Sequence, residues 1–447
     1  MRRRVPVLGI ATLLVIGGSY LRWSSHGATA PVGAVAQTNA ALWNAATSGR
    51  AETTRLVADY EREVADTPTA AGLRFLAQLY LQRGRLTGDV ATYTQARTAV
   101  ERAIALAPQD NEGRTLLASV LATTHDFERA IDAARIVLAD RPDDLGAAAV
   151  LGDAQIELGD YDGARATYAR LAALQPDAAA VIVRQARLAF LTGHVDDARQ
   201  HARQAKAQAV ASAFADAGLA FYTTFQGQIE HDTGQYATAE RYYRQALREA
   251  PGYYIARAGL ARERAAQGHI DDAIGQYRQA VATVPQPDAL AALGDLYRLQ
   301  HDDARARTAY DTVAATATLA TLNKQVFNRA LATYEADHDV AVDDALRLAD
   351  AELAVRHDVF GYDLQAWALY KNHRYDEAKQ AAVKALALGT PDARLLYHAG
   401  MIDAALGNDT TSIAELRSAL RISPNFDLLQ APTARAMLAT LEGKANR

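Results

Sequence analysis

The chain contains no cysteine. Disulfides, thiolate metal sites and a cysteine nucleophile are therefore excluded, and the absence suits an oxidising compartment. Alternating runs of Val, Ile and Thr that would read as strands are nearly missing. No histidine pair has the His-Glu-x-x-His spacing of a helical zinc site. There is no Gly-x-Ser-x-Gly elbow and no glycine-rich phosphate loop carrying a lysine. The 47 Lys and Arg are interleaved with 52 Asp and Glu, for a net charge of −5, so no basic footprint for nucleic acid exists. Hydrolases, nucleotide-binding enzymes and nucleic-acid readers all lose their usual signatures.

What is present is helix. Ala, Leu, Arg, Glu and Gln dominate, and all are good helix formers. The stretch from Leu145 to Pro176 shows the design. Leu151, Gly152 and Ile156 lie on helical spacing, and Gly159-Asp160 breaks that helix. Tyr161 opens a second helix, along which Ala164, Tyr168 and Leu171 recur, and Pro176 stops it. Two such helices cannot bury their apolar faces alone, so the pair needs neighbours. The chain supplies them: Pro142 follows Pro108 by 34 residues, Pro176 follows Pro142 by 34, and Pro285 follows Pro251 by 34. By length, 447 residues suffice for about three ordinary domains, but the period favours one solenoid.

This register predicts about ten repeats within 68–424, at 70–108, 111–142, 145–176, 179–210, 220–251, 254–285, 287–318, 320–357, 359–391 and 393–424. Ala130, Ala164 and Ala198 share one small-residue slot that lets two helix backbones approach. His301 replaces a turn glycine. The insertion RLTGDVATY after Gly84 reads as an exposed loop, because Thr87, Gly88 and Asp89 are turn residues. Residues 211–219 extend the first helix of the next repeat. Residues 37–67 read as a degenerate helix pair, and 425–447 as a C-terminal cap whose last helix covers the open end of the stack.

The first 36 residues are an export signal or an N-terminal membrane anchor. Arg2, Arg3 and Arg4 precede a largely apolar run from Val5 to Leu21. In one reading a peptidase cuts after Ala36 or Ala30. In the other, residues 5–21 stay as an anchor, with Trp23 at the far interface. Both readings place the repeats on the extracytoplasmic (periplasmic) side.

A fixed period near 34 with this pattern resembles the tetratricopeptide repeat (TPR). The resemblance implies an all-α fold, a right-handed α-solenoid of stacked helix-turn-helix units with a C-terminal capping helix. Four stretches resemble, more closely, a family of exported bacterial tetratricopeptide proteins of unassigned function. They are residues 76–83 (LAQLYLQR), 291–297 (AALGDLY), 366–371 (AWALYK) and 388–402 (LGTPDARLLYHAGMI). That likeness brings no catalytic residues and no cofactor.

In such folds the first helices line a concave face that holds a peptide or a partner helix. The slots expected to face that groove carry Gln78, Asp153, Arg187, Gln228, Arg262, Asp295, Arg298, Trp367, Tyr370 and Met401. Arg187 and Arg262 have the planar fork that grips carboxylates. Trp367 and Tyr370 lie three apart on one helix and offer an apolar anchor, with packing between repeats as the other reading. His301-Asp302-Asp303 and Asp337-His338-Asp339 are expected to be turn residues rather than metal ligands. The sequence thus points to a non-enzymatic scaffold for a protein or peptide partner. A self-assembling envelope protein and a small-ligand carrier are the alternatives.

Overall fold

A computed structural model describes residues 50–212, 216–322 and 329–445, without the side chains of residues 216, 217 and 317–322. The expected export segment, the first part of the degenerate helix pair and the opening of the repeat at 320–357 lie outside the described residues. Among those described there are 22 helices and no strand, an all-α helical repeat solenoid. No described helix is long and apolar enough to cross a membrane. The chain divides into two compact lobes, one holding the residues up to Arg184 and the other Gln185–Ser212, Leu219–Thr318 and the chain from Arg329 on.

The first lobe contains α1 (Arg50–Asp66), α2 (Ala70–Thr87), α3 (Ala91–Leu106), α4 (Asn111–Thr123), α5 (Phe127–Asp140), α6 (Leu145–Glu157), α7 (Tyr161–Leu174) and the start of α8 (Ala179–Leu191). The second contains the rest of α8, then α9 (Val195–Ala211), α10 (Asp216–Asp232) from Leu219 on, α11 (Tyr236–Glu249), α12 (Tyr254–Ala266), α13 (Ile270–Thr283), α14 (Pro287–Leu299) and α15 (Asp303–Leu322) up to Thr318. It continues with α16 (Arg329–Asp337), α17 (Val342–Leu353), α18 (Val359–Lys371), α19 (Tyr375–Ala385), α20 (Ala393–Ala405), α21 (Asp409–Ile422) and α22 (Gln430–Ala445).

The helix boundaries follow from local chemistry. Pro108, Pro142, Pro176, Pro251, Pro285 and Pro424 each sit two residues past the end of a second helix. Proline lacks the N–H that another turn would need. Asp110, Asp144, Asp160, Asp358 and Asp392 cap the next helix, each accepting from a backbone N–H of its first turn. Between the two helices of a repeat one residue adopts the left-handed conformation. Gly159, Gly193, Gly234, Gly268 and Gly407 hold that place in five repeats. His125, His301 and His373 hold it in three others, at φ of 63°, 59° and 60°. A side chain there costs about 1–2 kcal/mol relative to glycine.

Small residues set the approach of the two helices. Ala130, Ala164, Ala198, Ala239, Ala273 and Ala378 are fully buried, and Ser412 fills the same slot in the last repeat, its Oγ donating to the Gly400 carbonyl at 2.7 Å. A second close approach is made by Gly152, Gly227, Gly294 and Gly400. A β-carbon on each would collide with Tyr168, Tyr243, Tyr310 or Leu416, the residue sixteen further on. The insertion after Gly84 is not the exposed loop expected. Arg85–Thr87 close the last turn of α2, and Val90, only 1% exposed, packs inward. The burial of Val90 outweighs the turn propensity of Thr87-Gly88-Asp89.

The second lobe closes on itself. Thr390 Oγ1 donates to the Leu191 carbonyl at 2.6 Å. Tyr236 Oη shares a hydrogen bond with Ser423 Oγ at 2.7 Å and accepts from the Asn425 N–H at 2.8 Å. Asn425 Nδ2 donates to the Ala266 carbonyl at 2.9 Å. Turns roughly two hundred residues apart are thus joined, which a nearest-neighbour stack does not require. The terminal α22 buries Ala431, Ala434 and Leu441, and the last two join the core cluster that also holds Leu416 and Ala419 of α21.

Two substitutions test this packing. Ala164→Leu is expected to destabilise by about 1–3 kcal/mol in chemical denaturation, since the slot has no spare volume. His301→Gly, at an exposed turn, is expected to stabilise by about 1 kcal/mol. An unchanged unfolding midpoint for either contradicts the corresponding role.

Candidate functional site

Buried carboxylates form ionic pairs between consecutive repeats and, at Glu352, within one. In the first lobe Asp153 is 1% exposed. It accepts from Arg184 Nε at 2.9 Å and Nη2 at 2.8 Å, and from Tyr168 Oη at 2.8 Å. In the second lobe Arg199 Nη2 meets Glu230 Oε2 at 2.9 Å, and Lys379 Nζ meets Asp403 Oδ2 at 2.6 Å. Asp295 Oδ1 accepts from Tyr310 Oη at 2.7 Å and lies 2.7 Å from His338 Nε2. Glu352, with no exposed surface, lies 2.9 Å from Arg329 and 3.3 Å from Arg356. Such pairs add little net stability but fix register, and losing one partner costs about 3–5 kcal/mol.

These contacts correct several sequence expectations. Asp153 and Asp295 do not face an open groove; their slot points into the seam between helices, where a tyrosine and a basic side chain of the neighbouring repeat satisfy them. His338 stands in the turn that follows α16, as expected, but it also carries a contact that spacing does not announce. Its side chain is 6% exposed and bridges Asp295 and the Tyr334 carbonyl. Trp367 is core. Tyr370 stacks parallel on it at 4.8 Å, His398 stacks at 4.2 Å, and its Nε1 donates to Asp337 Oδ1 at 2.8 Å. The aromatic pair thus packs between repeats, and Met401 joins the same cluster. Gln78 and Arg187 are half-buried on α2 and α8, and Arg298 is exposed on α14.

Gln228 and Arg262 do come together, inside the second lobe. Arg262 Nη2 donates to Gln228 Oε1 at 2.9 Å and to Tyr243 Oη at 3.1 Å. Gln228 Nε2 donates to Asp232 Oδ1 at 2.7 Å. Around them lie charges that sequence reasoning missed. Asp288 at the start of α14 and Arg394 at the start of α20 touch solvent, yet that solvent lies in a cleft walled by other helices. Loss of bulk water raises Asp288 despite its two backbone hydrogen bonds. Burial pushes Asp232 up to about 6 against the pull of Arg262. Burial likewise pushes Asp337 up to about 6, although His398 and Arg394 lower it. Arg394 is held charged by Asp392, Asp337, Asp363 and Asp427 against its own desolvation. Its guanidinium makes no hydrogen bond or ion pair among the described residues. Of the missed residues, Asp288 and Arg394 sit at first-helix N-termini, Asp232 ends α10 and Asp427 lies in the loop before α22, all outside the mid-helix slots that repeat spacing marks.

Beside this cleft, Glu263 has no exposed surface and its Oε1 lies 2.6 Å from His231 Nδ1. Burial raises Glu263 to about 8 and drives His231 well below its ordinary value. The pair is therefore neutral at pH 7, with the carboxyl O–H donating to the imidazole nitrogen. No group of three or more His, Asp or Glu among the described residues is arranged to hold a metal ion.

Two family models, both described as tetratricopeptide repeat, match the chain. One covers residues 121–182 and 231–296, the other 92–144 and 364–425. Among solved structures, a thermophilic TPR protein from Thermus thermophilus is 22% identical, over 43% of this chain and 98% of that one, at a TM-score of 0.38. A tetratricopeptide repeat protein from Parabacteroides merdae is 16% identical, over 57% and 98%, at a TM-score of 0.39. The APC/C hetero-tetramer Cut9-Hcn1 is 15% identical, over 87% and 93%, at a TM-score of 0.34. No curated protein matches.

The His231–Glu263 pair gives a pH test. A carboxyl raised by folding stabilises fully below its unfolded value of 4.5 and loses that contribution as pH rises through its folded value of about 8. Glu263→Gln keeps a donor for His231 and removes the ionisation. The melting temperature of the variant relative to wild type is expected to rise from pH 4.5 to 8 and then level off. A difference that stays flat across that window refutes the neutral pair.

Proposed function

Because the chain is a tetratricopeptide-repeat protein, we propose that it is a non-enzymatic scaffold that binds a protein or peptide partner through its concave face, on the extracytoplasmic side of a membrane. Tetratricopeptide repeats generally mediate protein–protein interaction and scaffolding, and proteins built from them are typically non-catalytic adaptors. One observation carries the reading for this chain. Ionic and hydrogen-bonded pairs occupy the seams between its repeats, but Asp288 and Arg394 face the cleft of the second lobe without an ion pair among the described residues. Solvent-touching, unpaired charges on first helices are what an incoming chain can engage.

The extracytoplasmic placement rests on Arg2–Arg4 followed by the apolar run to Leu21. Two outcomes are open for that segment: cleavage after Ala36 or Ala30, or retention as a single N-terminal anchor. The lack of cysteine agrees with either.

A photo-crosslinking amino acid at position 288 tests the surface, with the same residue at the exposed position 162 as control. In living cells a discrete adduct is expected from 288 and not from 162. Adducts only from 162, or equal adducts from both, exclude the cleft as the partner site.

A further inference from the structure

Three consecutive second helices of the second lobe carry an arginine at one shared place. Ala198, Ala239 and Ala273 are the fully buried small residues of α9, α11 and α13. Five residues after each stand Arg203, Arg244 and Arg278. Five steps carry a helix about 140° beyond a full turn, so a side chain there points away from the helix that the alanine packs against. All three arginines are exposed. Arg203 and Arg278 form no ion pair among the described residues. Arg244 Nε meets Glu240 Oε1 at 2.8 Å, a carboxylate already shared with Arg264 and Gln267. The row ends at α15, where the corresponding place after Ala306 holds Asp311.

The three helices are tied side by side. Lys206 Nζ of α9 meets Glu249 Oε1 of α11 at 2.8 Å. Arg264, near the end of α12, joins Glu240 of α11 to Asp272 of α13, at 3.4 and 2.6 Å. Charge is sorted along all three. Asp196, Asp197, Glu240, Asp271 and Asp272 stand near the helix starts. Beyond them, residues 199–211, 241–249 and 275–283 hold one acid, Glu249, and it is bound by Lys206 and Thr223. The same stretches also expose Arg241 and Arg248. A helix dipole favours cations only within the last turn, and neither Arg203 nor Arg278 lies there. These arginines therefore serve neither a helix end nor an internal pair.

The sign of the row calls for carboxylates, and its step fixes their spacing. Packed helices lie about 8–10 Å apart. A chain in polyproline II geometry has three residues per turn and rises about 3.1 Å per residue, so every third side chain returns to one face about 9 Å further on. We propose that Arg203, Arg244 and Arg278 form a docking row for an acidic segment of a partner protein, an extended chain with a carboxylate at every third residue. Each guanidinium can grip a carboxylate with two parallel N–H groups. Arg241 and Arg248 flank the middle contact. The row belongs to second helices, whereas Asp288 and Arg394 stand at the starts of first helices, so it is a second surface that does not depend on the cleft.

The test uses the full-length protein and a fluorescein-labelled peptide of four Pro-Pro-Glu units, read by anisotropy at low ionic strength. This peptide is expected to bind, and one of four Pro-Pro-Gln units is not. A peptide of the same composition with its glutamates in one block is expected to bind more weakly. Combining Arg203→Gln, Arg244→Gln and Arg278→Gln is expected to weaken binding about tenfold, the joint effect of three exposed ion pairs. Because all three side chains are exposed, that variant is expected to melt at the wild-type temperature. Arg55→Gln, Arg165→Gln and Arg347→Gln together remove the same charge from other exposed places and are expected to leave binding unchanged.

Equal binding by the two triple variants overturns the row, and equal binding of the spaced and blocked peptides overturns the extended match. Association with phosphatidylglycerol vesicles, or self-association, that is lost in the row variant without affinity for the peptide overturns the acidic protein partner. A partner adduct from position 288 is independent of each of these results, so the row and the cleft stand or fall separately.

Discussion

A tyrosine seated in the notch left by a missing side chain is the contact that fixes the helix pair in three of the repeats, those of Tyr168, Tyr243 and Tyr310. Tyr168 lies against Gly152 and Tyr310 against Gly294, and a β-carbon at either glycine would strike the ring. Once seated, the tyrosine hydroxyl reaches one residue further along the first helix. Tyr168 donates to Asp153 and Tyr310 to Asp295. The carboxylate so held then binds a basic side chain on a neighbouring repeat, Arg184 in the first lobe and His338 in the second. A steric absence is thereby converted into a directed ionic contact. Apolar burial supplies most of the stabilisation, but it is indifferent to small slips between helices. The glycine–tyrosine–carboxylate series is not indifferent, because a slip would bury the carboxylate without its partners.

The same slot shows how far the sequence could be read. Its periodicity marked the helices, the prolines that end them and the alanines that let them approach. The periodicity could not say which way a slot points. Asp153, Gln228, Arg262, Asp295, Trp367 and Met401 occupy equivalent places, and a helical residue leans toward the turn before its own Cα. In a solenoid that lean decides between the groove and the seam. Asp153, Asp295 and Trp367 fall in the seam, whereas Gln228 and Arg262 reach the cleft. The charges that do face it, Asp288 and Arg394, sit at first-helix starts, where spacing arguments look for caps. His338 was hidden for a different reason. Its partner Asp295 is 43 residues away, beyond the reach of any local pattern.

The turn-to-turn contacts of the second lobe were illegible for a related cause. A repeat pattern describes neighbours only. Nothing in the period near Gly193 announces that its place against Gly389 leaves a gap too small for a β-carbon. Nothing at Tyr236 announces Ser423 and Asn425. These bonds depend on the accumulated rotation of the intervening repeats, a quantity no single repeat encodes. The positive-φ turns belong to both levels. Glycine there serves the turn in its own repeat, but Gly193 and Gly234 also permit the approach of a distant backbone.

A lobe closed by such contacts raises the question of what keeps its interior from collapsing. Apolar side chains would fill the space and expel water. The interior instead carries carboxylates that repel one another: Asp392 raises Asp232, and Asp427 raises Asp337. Each would gain by ionising in bulk water, and burial denies it that, so the arrangement opposes folding. Arg262 and Arg394 offset part of the cost, but Arg394 is not drawn into a close ion pair with any of the acids around it. Two arginines against six carboxylates leave the cleft polar and rich in acids. The packed seams and the open cleft are thus made from the same residue types under opposite rules. In the seams each charge meets its partner at hydrogen-bond distance, and in the cleft the partners are fewer than the charges.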